Sequence, residues 1–280
     1  MDRLTALFGD VSSLWSTYRG QYLTGALSTI ILAVLCTAVG CVIGLVCGIL
    51  QTIPCSKSDN IIKKIILGII RVVLRVYVEV FRGTPMILQA VFIYFAVPYL
   101  TNNSLRFNSV WLAAFIVVSI NTGAYMAETV RGGILSIDIG QTEGAKAIGM
   151  THFQTMLYVI LPQTLRNILP QIGNNLIINI KDTSVMFIIG FTELFAVHKG
   201  VTGATYKYFP SAAICMVIYL IMTVVCSLLL RLWENLLEGS ANFDLATTDT
   251  LAHTSGMTKY PGKVNDAFGE KNLEIDKEVK

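Results

Sequence analysis

The chain has 280 residues, of which 54% are hydrophobic and 14% charged, and its mean hydropathy is +0.62. Because soluble domains carry roughly 25% charged residues, this composition excludes an ordinary soluble protein and predicts an all-α, polytopic membrane protein. The net charge of +3 is small and the basic residues lie in separate loops, which gives no support to nucleic-acid binding.

The first predicted elements are an amphipathic segment and one long span. Residues 1–20 place apolar side chains at helical spacing, without the basic start of a cleavable signal peptide, and predict an extracytoplasmic helix in the membrane interface. Residues 23–50 are long enough to cross a bilayer. Within them, Gly40, Gly44 and Gly48 recur every four residues, which favours close packing against a neighbouring helix over a flexible hinge.

Two further spans follow a basic loop. Lysines between residues 51 and 64 place this loop in the cytoplasm by the positive-inside rule, and therefore place the N-terminus outside. Residues 65–99 are too long for one straight crossing, and the Gly-Thr-Pro sequence that ends at Pro85 predicts a kink, because proline removes a backbone donor. Residues 110–132 predict the third span, which returns to the cytoplasm.

Residues 138–162 form a polar stretch between two spans and predict two short helices. Asp138 offers a capping side chain for the first helix. Gly149 can end that helix, because glycine adopts the left-handed conformation without strain, and Thr151 can cap a second helix that ends before Pro162. We interpret this stretch as an exposed helical elbow that can receive a push from a partner.

Two more spans and a tail complete the prediction of about five transmembrane helices. Residues 159–196 predict a fourth span interrupted by two prolines, and an outer loop with two glycines leads to the last span, residues 211–233. Five crossings place the C-terminus in the cytoplasm. Residues 21–236 therefore form the predicted transmembrane domain, and residues 237–280 predict a polar, disordered cytoplasmic tail.

Three spans carry polar side chains at helical spacing. An ionisable group inside a span costs at least about 2.5–3.5 kcal/mol at mid-depth, so such groups are expected to face one another or a hydrated cavity. One interpretation is that they form intramembrane ion pairs that fix helix register, the candidates being Arg75, Glu79, Arg82, Lys181 and Asp182, with Glu79 pairing with both arginines. The other is a path for a polar solute, and its candidates are Asn121, Tyr125, Glu128, Gln171, Asn175 and Asn179.

No motif predicts catalysis or a bound cofactor. Five of the six cysteines lie in apolar segments, no CxxC pair occurs, and the three histidines are scattered, so neither a metal site nor a disulfide framework is predicted. The Gly262-Lys263 pair lacks the spacing of a phosphate-binding loop. We therefore expect no enzymatic activity, metal or cofactor in the chain itself.

Several motifs resemble the permeases of ABC importers. The segment Glu143-Gly144-Ala145, followed after three residues by Gly149 and after eleven more by a Leu-Pro pair, is similar to the EAA loop of these permeases. The resemblance extends over about residues 22–233. Further segments are similar to the polar amino acid branch of the family: residues 79–85 (EVFRGTP), 121–128 (NTGAYMAE), 131–134 (RGGI) and 181–184 (KDTS).

This resemblance implies the ABC transmembrane type-1 fold and a permease subunit that moves an amino acid by alternating access across the cytoplasmic membrane. It implies a second permease chain, identical or different, an extracytoplasmic solute-binding protein, surrounding lipid, and two ATPase subunits that bind ATP and Mg. It also implies that the elbow is a cytoplasmic coupling helix for the ATPase, through Glu143, Gly144, Ala145, Lys146, Gly149 and Thr151. Gly144 stands where the family has alanine, which costs about 1 kcal/mol in an exposed helix.

Two other functions compete with this one. An ion-coupled carrier or channel that works alone would use Glu79 and Glu128 as ion sites, and a structural membrane scaffold would carry no solute. No internal repeat is visible in the sequence, which counts against the inverted-repeat carriers.

Overall fold

A computed structural model describes residues 2–55 and 60–238, and this part of the chain is helical, without a β-strand. One 3-10 helix, Thr183–Ile189, and two π-helical turns, Phe92–Ala96 and Met156–Ile160, connect α-helices to one another. The α-helices are α1 (Asp2–Thr52), α2 (Ile61–Gly83), α3 (Met86–Val91), α4 (Val97–Leu100), α5 (Val110–Leu135), α6 (Ile139–Ala147), α7 (His152–Thr155), α8 (Leu161–Asp182), α9 (Leu194–Thr205) and α10 (Tyr208–Glu238).

The first predicted boundary does not appear as a break. Helix α1 continues from the predicted interfacial segment into the first span over 51 residues. The predicted kink at Pro85 is confirmed, because α2 ends at Gly83 and α3 begins at Met86. The predicted tail lies outside the described residues, apart from the last two residues of α10.

Each π-helical turn ends two residues before a proline, Ala96 before Pro98 and Ile160 before Pro162. In a regular α-helix a proline ring collides with the carbonyl group four residues earlier, and the wider π turn gives this ring room. The prediction that the second elbow helix ends before Pro162 is therefore wrong. The chain continues as helix through Pro162 and Pro170 to Asp182.

The break in the predicted fourth span lies at Gly190, which has a φ of +87°. Beyond it, α9 leaves at a bend of 52° to the preceding helix. The predicted outer loop is wrong at Gly200 and Gly203, since both lie inside α9. The carboxylate of Glu193 explains this helix start: it accepts hydrogen bonds from the backbone N–H groups of Phe195 (2.8 Å) and Ala196 (2.7 Å).

Three described helices are long and apolar enough to cross a membrane: Leu4–Thr52, Val110–Leu135 and Tyr208–Trp233. A fourth crossing results if the bent pair that ends with α9 is one span. The fifth predicted crossing would combine α2 with the apolar stretch Met86–Leu100. That pair does not meet the same criterion, because α2 is charged along one face and Met86–Leu100 is short.

The most extensive helix packing joins α1 to α5. A Cβ atom added at Gly44 would lie 2.3 Å from the Cβ atom of Met126, and one added at Gly48 would lie 2.6 Å from Cγ1 of Val130. Such distances are far below van der Waals contact, so no larger residue fits at this separation of the helices. The packing role predicted for the glycine repeat is thus confirmed at this interface.

Candidate functional site

The elbow has the local structure that its sequence predicts. The Oδ1 atom of Asp138 accepts a hydrogen bond of 2.6 Å from the Gly140 N–H at the start of α6. Gly149 has a φ of +83°, and its N–H donates to the Lys146 carbonyl at 2.9 Å, which closes the end of α6. Thr151 then starts α7 in a reciprocal capping box with Gln154. The first short helix and the glycine turn after it are confirmed, whereas the second helix continues beyond Pro162.

The elbow presents both charged and apolar side chains to its surroundings. Five of the six predicted coupling residues are exposed: Glu143, Gly144, Lys146, Gly149 and Thr151. Ala145 is only 5% exposed, so it packs the elbow against the rest of the chain rather than facing a partner. Three large apolar side chains beside them are more than 70% exposed, which is typical of a docking surface: Ile139, Ile148 and Phe153.

A polar cavity of about 460 Å³ lies beside the break between α2 and α3. We call it the solute cavity. It brings together four of the six predicted path residues: Asn121, Tyr125, Asn175 and Asn179. Arg82 and Asp182, which the ion-pair interpretation assigned elsewhere, line the same cavity. Of the other two path candidates, Gln171 is exposed and does not line this cavity, and Glu128 lines a different one.

The asparagine amides that line the solute cavity differ in the hydrogen bonds that they form within the protein. Asn179 donates to the Thr37 hydroxyl (2.8 Å) and accepts from the Thr122 hydroxyl (3.1 Å), so it links α1, α5 and α8. Asn121 and Asn175 use only their Nδ2 groups. Within the described residues their Oδ1 atoms accept no hydrogen bond, so both remain available to a solute.

Gln89 is a site residue that the sequence patterns do not identify. It is buried, and its Nε2 group donates at 2.9 Å to the carbonyl groups of Phe81 and Thr84. Pro85 has no backbone N–H, so the Phe81 carbonyl lacks its regular helical donor. The Oε1 atom of Gln89 in turn accepts a hydrogen bond of 3.0 Å from the Nδ2 group of Asn121. The sequence feature that could have identified Gln89 is that, between residues 86 and 100, it is the one residue that is neither apolar nor aromatic.

A second cavity, of about 550 Å³, adjoins the ends of α1 and α5. We call it the charged vestibule, since six ionisable side chains line it: Arg71, Arg75, Glu79, Arg82, Glu128 and Arg131. Glu128 forms an ion pair with Arg131 at 2.5 Å. Arg82 also lies over the Tyr125 ring, 5.5 Å from its centroid, and it lines both cavities.

The ion pairs predicted for Glu79 are not formed. Among the described residues, Glu79 lies within ion-pair distance of neither Arg75 nor Arg82, and all three are exposed to the vestibule. Long, exposed side chains that face an open cavity gain little by pairing, because pairing restricts their rotamers. The predicted Lys181 and Asp182 pair is also not formed within the described residues. Asp182 lines the solute cavity, whereas Lys181 lines an apolar groove beside α10. No cluster of metal-ligating residues occurs in the described part of the chain.

Comparison with known proteins identifies the chain. Residues 65–241 match the model of the binding-protein-dependent transport system inner membrane component. The chain belongs to this family. It is therefore an integral inner-membrane permease component, and an ATP-driven import role follows from the family. The resemblance to ABC importer permeases is confirmed.

The curated relatives include amino acid permeases. The glutamine transport system permease protein GlnP of Escherichia coli K12 is 38% identical over 225 residues, which cover 80% of this chain and 96% of that protein. The probable amino-acid permease protein YxeN of Bacillus subtilis is 36% identical over 160 residues, covering 57% of this chain and 71% of YxeN.

Solved structures confirm the type-1 permease fold. An amino acid ABC transporter crystallised with histidines matches with a TM-score of 0.67 and 33% identity, over 78% of this chain and 95% of that one. The inward-facing MetNI methionine ABC transporter matches with a TM-score of 0.61 over 77% of this chain and 95% of its own. At 20% identity, that second likeness concerns the fold alone.

Proposed function

We propose that this permease carries an amino acid with a polar side chain into the cell. The observation that carries this proposal is the solute cavity, where opposite charges and unoccupied amide acceptors face one space. A zwitterionic amino acid needs donors for its carboxylate and acceptors for its ammonium group. Arg82 supplies such donors and Asp182 such an acceptor. The relatives that transport glutamine or other amino acids support the same substrate class.

The amide oxygens of Asn121 and Asn175 provide the proposed contacts for the rest of the solute. Both atoms remain free of described protein hydrogen bonds, whereas Asn179 is occupied by two threonine hydroxyls. We therefore assign solute contact to Asn121 and Asn175, and a structural role to Asn179.

The elbow is proposed to dock onto a cytoplasmic ATPase. Its support is the exposure of Glu143 and Lys146 on α6 beside the apolar side chains of Ile148 and Phe153. Side-chain caps fix the starts of both α6 and α7. The transporter would contain two ATPase subunits that hydrolyse ATP, a second permease chain and an extracytoplasmic solute-binding protein. The N-terminus would lie outside and the C-terminus in the cytoplasm.

Reconstitution in proteoliposomes tests this function. The chain is incorporated with its ATPase and supplied with its binding protein and labelled glutamine, and uptake is measured with ATP, without ATP, and with an imposed proton or sodium gradient. We expect uptake only with ATP. Gradient-driven uptake by the chain alone would identify an ion-coupled carrier instead. If glutamine is not taken up, the assay is repeated with other labelled amino acids, and no uptake of any of them under any condition would favour a structural scaffold.

A further inference from the structure

The charged vestibule has an excess of positive charge. Four guanidinium groups and two carboxylates line it, which gives a formal net charge of +2. The pair between Glu128 and Arg131 is internally neutral, so the excess resides on the remaining arginines. Charges at the edge of a membrane protein are stabilised by a counter-charge or by water. A cavity lined mainly by one sign of charge concentrates ions of the opposite sign.

Arg71 is held in place at the wall of the vestibule by a hydrogen bond. Its guanidinium group donates a hydrogen bond to the carbonyl of Ile53, which fixes the arginine beside the end of α1. Its Nε–H group is buried and has no hydrogen-bond partner within the described residues. That N–H is shielded from the vestibule, but the rest of this planar, fixed guanidinium group lines the vestibule and suits an oxyanion, phosphate in particular, which accepts several hydrogen bonds at once.

The vestibule adjoins the ends of two helices that are long and apolar enough to cross a membrane, and phospholipid headgroups lie at the ends of such helices. Gln51, Thr52 and Leu135 also line it, and these are residues at the ends of α1 and α5. At about 100° per residue, the arginines of α2 lie about a quarter turn from an exposed apolar stripe on the same helix, formed by Ile65, Val72 and Val76. The acyl chains of a phospholipid whose phosphate group lies in the vestibule can therefore pack along α2.

We propose that the charged vestibule is a phosphate-binding site. Arg71 and Arg75 bind the phosphate oxygens, and Glu79 limits the affinity by repulsion. The phosphate belongs either to an anionic phospholipid or to a free phosphate ion, and the same arginine chemistry serves both. This site is separate from the solute cavity, although Arg82 borders both.

Two probes distinguish the sources of the phosphate. The full chain is purified in detergent, and phosphatidylglycerol is titrated against phosphatidylcholine while bound lipids are counted by native mass spectrometry. In parallel, the melting temperature is measured in potassium phosphate and in potassium chloride of equal ionic strength. Preferential retention of phosphatidylglycerol without an effect of inorganic phosphate assigns the site to lipid. Stabilisation by inorganic phosphate alone assigns it to the free ion.

Three variants connect the binding to the vestibule. Arg75→Gln should weaken binding of the active probe about tenfold, the effect of losing one charge-assisted hydrogen bond. Arg166→Gln is the matched control, because it removes the same charge from an exposed position on α8 that does not line the vestibule. Glu79→Gln should strengthen binding about two- to fivefold by removing a repulsive charge, which damage to the fold would not do.

The proposal is overturned by any of three results. These are that neither probe binds, that Arg75→Gln and Arg166→Gln have equal effects, or that Glu79→Gln weakens binding. The first result would be expected if a second permease chain neutralised the arginines across a dimer interface.

Discussion

The two faces of α5 have opposite characters. One face carries Thr122, Met126 and Val130, which pack against the glycines of α1 without space for an added methyl group. The other carries Asn121, Tyr125 and Glu128, which line two cavities. One helix therefore contributes both to a close-packed scaffold and to two polar cavities. The close packing leaves the α1–α5 side no room to change shape, whereas the cavity side has such room.

The largest expected effect comes from filling the close-packed face. Gly44→Ala places a Cβ atom 2.3 Å from that of Met126, so the helices must separate. We expect a loss of about 3 kcal/mol in the free energy of unfolding, the upper part of the range for overpacking. Unfolding of the purified chain by denaturing detergent, followed by tryptophan fluorescence, measures it.

Gly68→Ala is the matched control for this experiment. Gly68 lies in the interior of α2 with no atom within 4 Å of an added Cβ, so the same change should leave stability unchanged or slightly raised. Equal losses in the free energy of unfolding for the two variants would show that the close approach of α1 and α5 is not the cause of the loss.

Effects of intermediate size are expected from substitutions of two asparagines that line the solute cavity, and the two substitutions should affect different properties. Asn179→Ala removes the link between Thr37 and Thr122 and should lower the free energy of unfolding by about 1–2 kcal/mol. Asn175→Ala removes hydrogen bonds only to the carbonyl of Gln171 in its own helix and to a methionine sulfur. It should leave stability almost unchanged and raise the KM of ATP-driven uptake about tenfold, the effect of losing one hydrogen bond to a charged group.

Stability and uptake kinetics of these two variants are measured side by side. The distinction between structural and solute-contacting amides fails if Asn175→Ala leaves uptake unaltered, or if Asn179→Ala is as stable as the unmodified chain.

The smallest effect is expected at the elbow. Gly144 is exposed in α6, with nothing within 4 Å of an added Cβ. Gly144→Ala should therefore raise stability by at most about 1 kcal/mol, the difference in helix propensity. Thermal unfolding in detergent detects such a change, and a marked destabilisation would mean that another subunit or segment approaches closely at this position.

The sequence predicts the elements that depend on local chemistry. The caps at Asp138 and Thr151, the left-handed Gly149 and the break at Pro85 follow from single residues and their neighbours, and all are present. The glycine repeat of α1 likewise predicts its packing.

Predictions fail where tertiary contacts or unusual helical turns decide the outcome. A π turn allows the helix to continue through Pro162, and the Glu193 cap starts a helix in spite of two glycines. The partners of Glu79 and of Gln89 depend on how α2, α3 and α5 lie together, which helical periodicity does not specify. The sequence patterns therefore identified four residues of the solute cavity, but they assigned Arg82 and Asp182 to ion pairs and did not specify the separation between the two cavities.

The account depends most on the elbow as the element that transmits force from the ATPase. Gly149 needs a positive φ but has free space around it, so Gly149→Val strains the elbow backbone without a collision in the core. The decisive measurement is the number of ATP molecules hydrolysed per amino acid imported in proteoliposomes, with Gly144→Ala as the control. We expect this ratio to rise severalfold in Gly149→Val and to stay constant in Gly144→Ala. An unchanged ratio in Gly149→Val, with normal uptake, would contradict the account.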